Sequence, residues 1–352
     1  MPQKVVVAMS GGVDSSVAAY LLKESGYEVT GLFMRRGDCV DGRGKGASRI
    51  PPDSADAKLV ADKIGVRFYA LDFSAEIDSL IRYFCDEYGK ARTPNPCAVC
   101  NSKLKFGRLR EYADSIGADY LATGHYARIE EQQGRWLLKR GADAEKDQSY
   151  MLFGLTQEQL SKAIFPLGEL TKARVRTIAR DLGLRVSDKP ESQDICFVPG
   201  GDYRALLRDR CPAALKPGLI VDTSGRAVGR HRGLPYHTIG QRRGVGIAMG
   251  EPRYVVRLDA EKNEVVIGGE EDLLRRELVA TGLNWIAFEE PTGEIECEAQ
   301  IRYRHKPTKA TVAQEDGRAR VAFHSPERGV APGQAVVFYD EDLVLGGGWI
   351  ES

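Results

Sequence analysis

The sequence predicts an α/β protein in three parts: an N-terminal domain on a mostly parallel sheet (residues 1–206), a small central domain (207–275) and a C-terminal antiparallel β-barrel (276–352). Three observations carry this prediction. Strand and helix patterns alternate through the first 200 residues, which calls for a parallel sheet covered by helices on both faces. One apolar run, Lys4 to Met9, leads straight into a glycine-bearing turn and then a helix. After about Leu206 helical patterns thin out, and short alternating runs appear between Gly, Pro and Asp turns.

Taken in order, strands are expected at Lys4 to Met9, Tyr27 to Met34, Val66 to Asp72 and Tyr120 to Thr123. Between them Val17, Leu21 and Leu22, then Leu59, Val60 and Ile64, then Ile77, Leu80, Ile81 and Phe84 are each spaced to make one apolar helical face. Gly37 to Pro52 breaks the alternation with Gly, Arg, Asp and Pro, and reads as a mobile surface loop near a ligand. Later strands are expected at Arg253 to Leu258, Glu264 to Ile267, Ile295 to Tyr303, Ala310 to Val312, Arg318 to Phe323 and Ala335 to Tyr339. In such a sheet ligands bind beyond the carboxyl ends of the strands.

The turn after the first strand reads Ala8-Met9-Ser10-Gly11-Gly12-Val13-Asp14-Ser15. Gly11 and Gly12 reach backbone angles closed to other residues, so successive N–H groups turn toward one anion at a helix N-terminus. Ser10 and Ser15 add hydroxyls. The Gly-Lys-Ser/Thr ending of a Walker A loop is missing, so a γ-phosphate gripped by lysine is not what the turn offers.

Composition narrows the partners. The 352 residues are 42% hydrophobic, enough for a sizeable core. Without an apolar run of about 18 residues or a signal-peptide pattern, the expectation is a cytoplasmic protein with no membrane partner. Lysine plus arginine equal aspartate plus glutamate at 50 each, so a nucleic acid would have to be held by local basic surface. Seven cysteines in a chain of this length read as buried, catalytic or metal-binding thiols.

Two of these thiols lie in Thr93-Pro94-Asn95-Pro96-Cys97-Ala98-Val99-Cys100-Asn101. The prolines impose an extended approach, and a helix is expected after Cys100, where its dipole and Lys103 and Lys105 favour a thiolate. Half of a zinc site is the alternative, but no second Cys-x-x-Cys or His pair completes it. Cys196 lies in the polar, proline-marked stretch Asp188 to Val198. Alone it reads as a core thiol; beside a phosphate loop and a reactive pair it reads as their partner. Cys85, on the apolar side of a helical pattern with Ile81 and Tyr88, and Cys297, in an expected strand, read as structural; Cys211 and Cys39 have no companion spacing, Cys211 reading as structural and Cys39 as an adventitious thiol, and His231 and His237 read as structural histidines. Basic residues recur at Lys103, Lys105, Arg108 and Arg110, at Lys172, Arg174, Arg176 and Arg180, and around Arg302, Arg304, His305, Lys306 and Lys309. Each group alone reads as a solvated face; together they offer phosphate contacts, with Tyr126, Tyr303 or His125 to position a base.

The loop at 8–15 resembles that of the PP-loop ATP pyrophosphatase superfamily, whose HUP-like domain adenylates substrates. From end to end the chain is similar to the bacterial tRNA-specific 2-thiouridylase (MnmA) family. The motifs are the loop itself, Gly31-Leu32-Phe33-Met34, Thr93 to Pro96, Cys100-Asn101, Ala122 to Tyr126, Lys146 to Tyr150, Ile195-Cys196-Phe197, Tyr236 to Arg242, Arg302-Tyr303-Arg304 and Pro332-Gly333-Gln334. The resemblance implies ATP held by Ala8, Met9, Ser10, Gly11, Gly12, Val13, Asp14, Ser15, Met34 and Gly124, with Mg²⁺ on the phosphates and Asp14 either on that ion or capping the helix. It implies tRNA contacts at Asn95, Pro96, His125, Lys146, Asp147, Gln148, Arg302, Tyr303 and Gln334. The substrate would be the wobble uridine of Lys-, Glu- and Gln-type tRNAs, splayed into the pocket.

In the implied reaction the uridine C2 oxygen is adenylated, Cys196 delivers sulfur as a persulfide, and Cys100 closes on Cys196 as a disulfide. A cysteine desulfurase or a sulfur-relay protein supplies the sulfur. Many members of the family carry aspartate where Cys97 stands. Here Cys97 is either a helper in the persulfide route or, with Cys100 and Cys196, one of three ligands of a [4Fe–4S] cluster. Both routes stay open at the level of sequence. A small-molecule PP-loop ligase would have little use for these cysteines or for a barrel domain, and a binding protein that merely keeps the loop would release no pyrophosphate.

Overall fold

A computed structural model describes residues 1–36, 52–190, 195–247 and 250–352. The expected loop with Cys39, and residues 191–194 of the Cys196 segment, lie outside the described residues. The chain divides into two units, one of residues 1–79, 98–193 and 342–344, the other of 80–97, 194–341 and 345–352.

The first unit opens β1 (Lys4–Ala8), α1 (Val13–Glu24), β2 (Glu28–Arg35), α2 (Pro52–Ile64), β3 (Arg67–Asp72) and the start of α3 (Ser74–Gly89). It resumes within a continuous helical run: α4 (Pro96–Val99), a wide π-type stretch over Cys100–Leu109, and α5 (Arg110–Ser115). There follow β4 (Tyr120–Ala122), a hairpin of β5 (Ala127–Gln132) and β6 (Arg135–Arg140), α6 (Gln157–Ser161), β7 (Ala163–Ile164) and α7 (Lys172–Asp181). The sheet order is β3-β2-β1-β4-β7, all parallel. Val5 to Val7 are buried on both faces of β1, as a continuous apolar run in a central parallel strand requires. Val17, Ala18 and Leu22 of α1 pack there with Val60 and Ala61 of α2 and Val175 and Ala179 of α7. Because β2 and β4 flank β1, the strand order reverses at the carboxyl end of β1, where the phosphate loop begins.

The helical run corrects one expectation. It starts at Pro96, a residue suited to a first helical position, so Cys97 lies in the first turn and Cys100 one turn inside. π-type turns recur at functional sites. The β5–β6 hairpin was not expected, because its strands are polar; Gln133 and Gly134, at φ 53° and 79°, supply the tight turn.

The second unit contains the end of α3, α8 (Tyr203–Arg210), a four-stranded sheet and a barrel. The sheet consists of β8 (Gly218–Asp222), β9 (Ala227–His231), β10 (Tyr254–Asp259) and β11 (Glu264–Gly268), ordered β10-β11-β8-β9. Alternation buries Ile220, Val255, Val265 and Ile267 in one cluster and Val221, Tyr254, Val256 and Val266 in another. The barrel consists of β12 (Leu274–Trp285), β13 (Ile295–Gln300), β14 (Thr308–Glu315), β15 (Arg318–Arg328), β16 (Ala335–Asp340) and β17 (Leu343–Ile350). It runs β12-β15-β14-β13-β16-β17 and closes where β17 pairs with β12. Neither closing strand was expected. Leu274 to Glu277 are exposed, and the Gly346-Gly347-Gly348 run does not read as a strand. A Cβ at Gly346 would lie 2.5 Å from the Asn284 carbonyl oxygen, so the glycines are what lets β12 approach.

Among the described residues no helix is long and apolar enough to cross a membrane.

Candidate functional site

In the first unit the chain leaves β1, with Met9 N–H still bonded to the Leu32 carbonyl (2.8 Å), and turns at Gly11 with φ +76°. Only glycine fits there: a Cβ would stand 2.2 Å from the Asp53 carbonyl oxygen. Gly12 is the N-cap of α1 and has no side chain with which to cap it, so the helix start presents its first N–H groups to an anion. The Ser15 hydroxyl stiffens the turn, donating to the Gly12 carbonyl (3.2 Å) and accepting from Ser10 N–H (3.1 Å). Gly124, just past β4, presses on the same turn; a Cβ there would lie 2.7 Å from Ser15 N. The expected ATP residues 8–15 and Gly124 therefore meet at one point, and Met34 lies toward the end of the neighbouring β2.

Asp14 does not cap the helix, since the cap is Gly12. Its carboxylate accepts from Lys172 Nζ, 2.7 Å to each oxygen, and from the Tyr126 hydroxyl at 2.7 Å. Lys172 and Tyr126 are thereby turned inward, against the expectation of a basic surface and a base-stacking ring; both are buried. Lys189 serves the other side of the loop, donating to the Gly11 carbonyl (3.2 Å), Asp53 (2.7 Å) and Asp56 (2.8 Å). Other expected basic residues are also committed internally. Arg110 binds Asp114 and the carbonyls of Ala118 and Asp119, and Arg176 the carbonyls of Ser187 and Lys189.

His125 is buried, its Nδ1 2.7 Å from the Thr123 hydroxyl and its Nε2 3.5 Å from Lys105 Nζ. An ammonium only donates, so Nε2 accepts and the proton sits on Nδ1. Burial, then the Lys105 charge, holds the imidazole pKa well below its ordinary value, so the ring is neutral. Beyond it Gln148 N–H donates to the Tyr126 carbonyl (2.9 Å), and Tyr126 N–H donates to Gln148 Oε1 (3.1 Å). Asp147 shapes the same turn by accepting from Gly141 N–H (2.9 Å) and the Ser149 hydroxyl (2.8 Å). Thus His125, Lys146, Asp147 and Gln148 form one local cluster, and Cys100 is a half-buried thiol of the same unit. Beside it, Asn101 donates its amide to the Met151 carbonyl (2.9 Å).

In the second unit the Thr93–Pro94 approach is held by the barrel. Gln334 Nε2 donates to the carbonyls of Thr93 (3.0 Å) and Pro94 (3.1 Å), and Thr93 N–H donates to the Pro332 carbonyl (2.7 Å). Gly333 is required, since a Cβ would lie 2.8 Å from Thr93 O. Expected residues Asn95 and Pro96 are therefore set by expected residue Gln334, and Cys97 next to them is exposed. Tyr83, which sequence reasoning missed, hydrogen-bonds the Asn95 backbone; burial pushes its phenol up to about 12. Arg302 and Tyr303 lie in a turn after β13 rather than in the strand, with Arg304 stacked over the Tyr303 ring at 5.4 Å.

Cys196 is exposed, but the next two side chains are not: Phe197 and Val198 are 4% and 3% exposed. Phe197 meets Phe84 of α3 edge to face at 5.5 Å, and one turn along, Tyr88 stacks on Tyr203 of α8. Between these contacts Cys85 and Cys211 form a disulfide, which corrects the reading of both as unpaired structural thiols. At a sequence separation of 126, no spacing could announce the pair. Cys297 does stay buried, its thiol pushed up to about 12 by burial and by Glu296, Glu298 and Asp340. Among the described residues no three Cys, His, Asp or Glu side chains are grouped to hold a metal ion.

The sequence matches three family models in succession, described as the tRNA methyl transferase HUP domain (residues 3–200), the tRNA methyl transferase PRC-barrel domain (204–269) and the aminomethyltransferase beta-barrel domain (275–350). A tRNA-specific 2-thiouridylase, MnmA 2 of Clostridium botulinum (strain Okra / Type B1), is 47% identical over 356 residues, covering 100% of both chains. The tRNA-specific 2-thiouridylase MnmA of Clostridium acetobutylicum is 45% identical over 355 residues, again covering 100% of both, and that of Clostridium perfringens (strain 13) 47% over 363, covering 99% of both. Among solved structures, a 4-thiouridine synthetase–RNA complex with bound ATP aligns with a TM-score of 0.37 at 15% identity, over 60% of this chain and 50% of that one. The NMN synthetase of Francisella tularensis aligns with a TM-score of 0.34 at 16% identity, over 54% of this chain and 66% of that one.

Proposed function

The chain belongs to the bacterial tRNA-specific 2-thiouridylase (MnmA) family of tRNA sulfurtransferases, and we propose that it replaces the C2 oxygen of the wobble uridine of Lys-, Glu- and Gln-type tRNAs by sulfur at the expense of ATP. The observation that carries the adenylation half is the helix start at Gly12, left uncapped, stiffened by Ser15 and pressed by Gly124, which suits a phosphate and little else. ATP lies along Ala8 to Ser15, with Met34 and Gly124 toward the adenine. Mg²⁺ accompanies the phosphates. The site suits a cation, since the Asp14 carboxylate already takes an ammonium, and Asp14 is the residue that would hold the ion. Bound there, Mg²⁺ neutralises phosphate charge so that an uncharged oxygen can approach.

The C2 oxygen attacks the α-phosphorus, pyrophosphate departs, and a poor leaving group becomes AMP. The terminal sulfur of a Cys196 persulfide attacks C2 and AMP leaves with the former oxygen. Cys100 thiolate then attacks the Cys196 sulfur; the S–S bond passes to the two cysteines and the new sulfur stays on C2. A dithiol reductant resets the pair, and a cysteine desulfurase or a relay protein reloads Cys196. Cys97 assists as an acid or base beside the base pocket. His125, Lys146, Asp147 and Gln148, and Asn95, Pro96, Arg302, Tyr303 and Gln334, meet the tRNA, and the reaction takes place in the cytoplasm. A [4Fe–4S] cluster on Cys97, Cys100 and Cys196 is the alternative route, and the iron dependence of the reaction separates the two.

The test is thiouridine formation by iron-free protein on unmodified tRNA, with ATP, Mg²⁺, cysteine and a cysteine desulfurase, and the nucleosides read by mass spectrometry. Multiple turnovers that vanish in C196A and C100A are expected. Activity only after anaerobic cluster reconstitution would replace the persulfide route, and no thiouridine under either condition would remove the reaction from this chain.

A further inference from the structure

The strap Thr93-Pro94-Asn95 enters α4 at Pro96, and its prolines carry no N–H, so its backbone donors are those of Thr93 and Asn95. Thr93 N–H goes to the Pro332 carbonyl, and the Thr93 and Pro94 carbonyls accept from Gln334, so the barrel fastens the first half of the strap. Asn95 N–H goes instead to the Tyr83 hydroxyl of α3. Asn95 is 5% exposed, and water is a poor substitute for that acceptor. Burial pushes the phenol up to about 12, so Tyr83 meets the strap as a neutral hydroxyl.

The same face of α3 holds the chain just before the strap. Glu87, four residues on from Tyr83, accepts from Arg92 Nε (2.7 Å), and Arg92 Nη2 donates to the Ile350 carbonyl (3.1 Å). The residue after Tyr83, Phe84, receives Phe197, the neighbour of Cys196. Two consecutive residues of one helix therefore hold the two segments that thiolation must bring together, the strap and the sulfur carrier. A helix fixes such a register more precisely than a loop does. Space alone would be filled as well by phenylalanine; the hydroxyl is what reaches Asn95.

We propose that Tyr83 is a positioning residue for the target base: its hydroxyl fixes the Asn95 strap to the turn of α3 that also seats Phe197, setting the base pocket in register with Cys196. The inference rests on the reading that Asn95 and Pro96 meet the tRNA at that pocket, and it adds a residue outside the ATP-contact and tRNA-contact sets above.

Fluorescence anisotropy of the full chain with two tRNAs, one carrying the wobble uridine and one abasic at that position, tests it in wild type, Y83F, Q334A and Y83F/Q334A. The ratio of the two affinities reads the base pocket; the abasic affinity reads the fold and the rest of the interface. Wild type should favour the uridine tRNA by about tenfold, as one or two hydrogen bonds to a base allow, and Y83F should bring that ratio below about threefold with abasic affinity unchanged. Thiouridine formation at saturating tRNA should fall about 10- to 100-fold in Y83F. Because Tyr83 and Gln334 grip one strap, their effects on that turnover should be less than multiplicative in the double variant. The inference fails if Y83F keeps the wild-type ratio or turnover, if uridine and abasic affinities fall in step, or if the two substitutions act independently. Wild-type protein that binds both tRNAs alike would instead remove the reading of the strap as a base contact, and the inference with it.

Discussion

Replacing Phe197 by alanine should separate sulfur delivery from adenylation. The ring is 4% exposed and stands at 84° to Phe84, itself 1% exposed, with centroids 5.5 Å apart. Emptying such a site costs about 3–5 kcal/mol. A chain with a total stability of about 5–15 kcal/mol survives that loss, but the segment that the ring fastens need not stay down. Cys196 is the residue before it, and a displacement of about 1 Å at a reacting atom costs about 100-fold in rate. The ring and its Phe84 partner belong to the second unit, and the phosphate loop to the first. F197A should therefore release pyrophosphate in a tRNA-dependent assay within about twofold of wild type while forming thiouridine about 100-fold more slowly. F197L, which keeps most of the buried volume, should lose less than about tenfold. Equal losses in pyrophosphate release and thiolation, or undiminished thiolation in F197A, would show that the buried ring does not position Cys196.

Three further outcomes follow from single contacts. G124A puts a methyl 2.7 Å from Ser15 N, so ATP affinity should fall by at least about tenfold by calorimetry, and unchanged affinity would refute the close approach of Gly124 to the helix start. The Cys85–Cys211 disulfide spans 126 residues of sequence, and reducing it should lower stability in urea by up to about 5 kcal/mol; both thiols alkylating under non-reducing conditions would contradict the pairing. His237 is driven down to about 4 by burial, then by His231 and Arg204. Its unfolded-state pKa is about 6.5, so the unfolded chain binds the extra proton and stability present above pH 6.5 is lost as pH falls toward 4, by at most about 3 kcal/mol. H237Q should flatten urea midpoints across that window, and an unaltered slope would assign the pH dependence elsewhere.

What could be read in the sequence is what local physics dictates. Val5 to Val7 run unbroken because β1 is buried on both faces, and Ser10 to Ser15 announce an anion site because few other sequences make that turn. The barrel's closing strands hid for the opposite reason. The strand character of Leu274 to Glu277 and of Gly346 to Gly348 comes from partners distant in sequence, Gly346 opposite Trp285 and Gly347 opposite Asn284. The recurrence of Lys172, Arg174, Arg176 and Arg180 reads as a solvated basic face, because spacing along one segment says nothing of a carboxylate 158 positions away.

The same limit applies to the cysteines, and it decides which inferences deserve weight. Cys97 and Cys100 stood out by spacing, Cys196 only by company, and Cys85 and Cys211 not at all. In the second unit, though, Cys85 lies on α3 between Phe84, which receives Phe197, and Tyr88, which receives Tyr203. Two of the three ties to α3 are ring contacts and the third is covalent. If the ring contacts alone set the Cys196 segment, reducing the disulfide should lower stability and leave thiolation per folded molecule intact. If the covalent tie is needed, C211S should reproduce the F197A phenotype, slow thiolation with pyrophosphate release preserved. Measuring both rates in C211S therefore distinguishes a stabilising disulfide from one that positions the sulfur carrier.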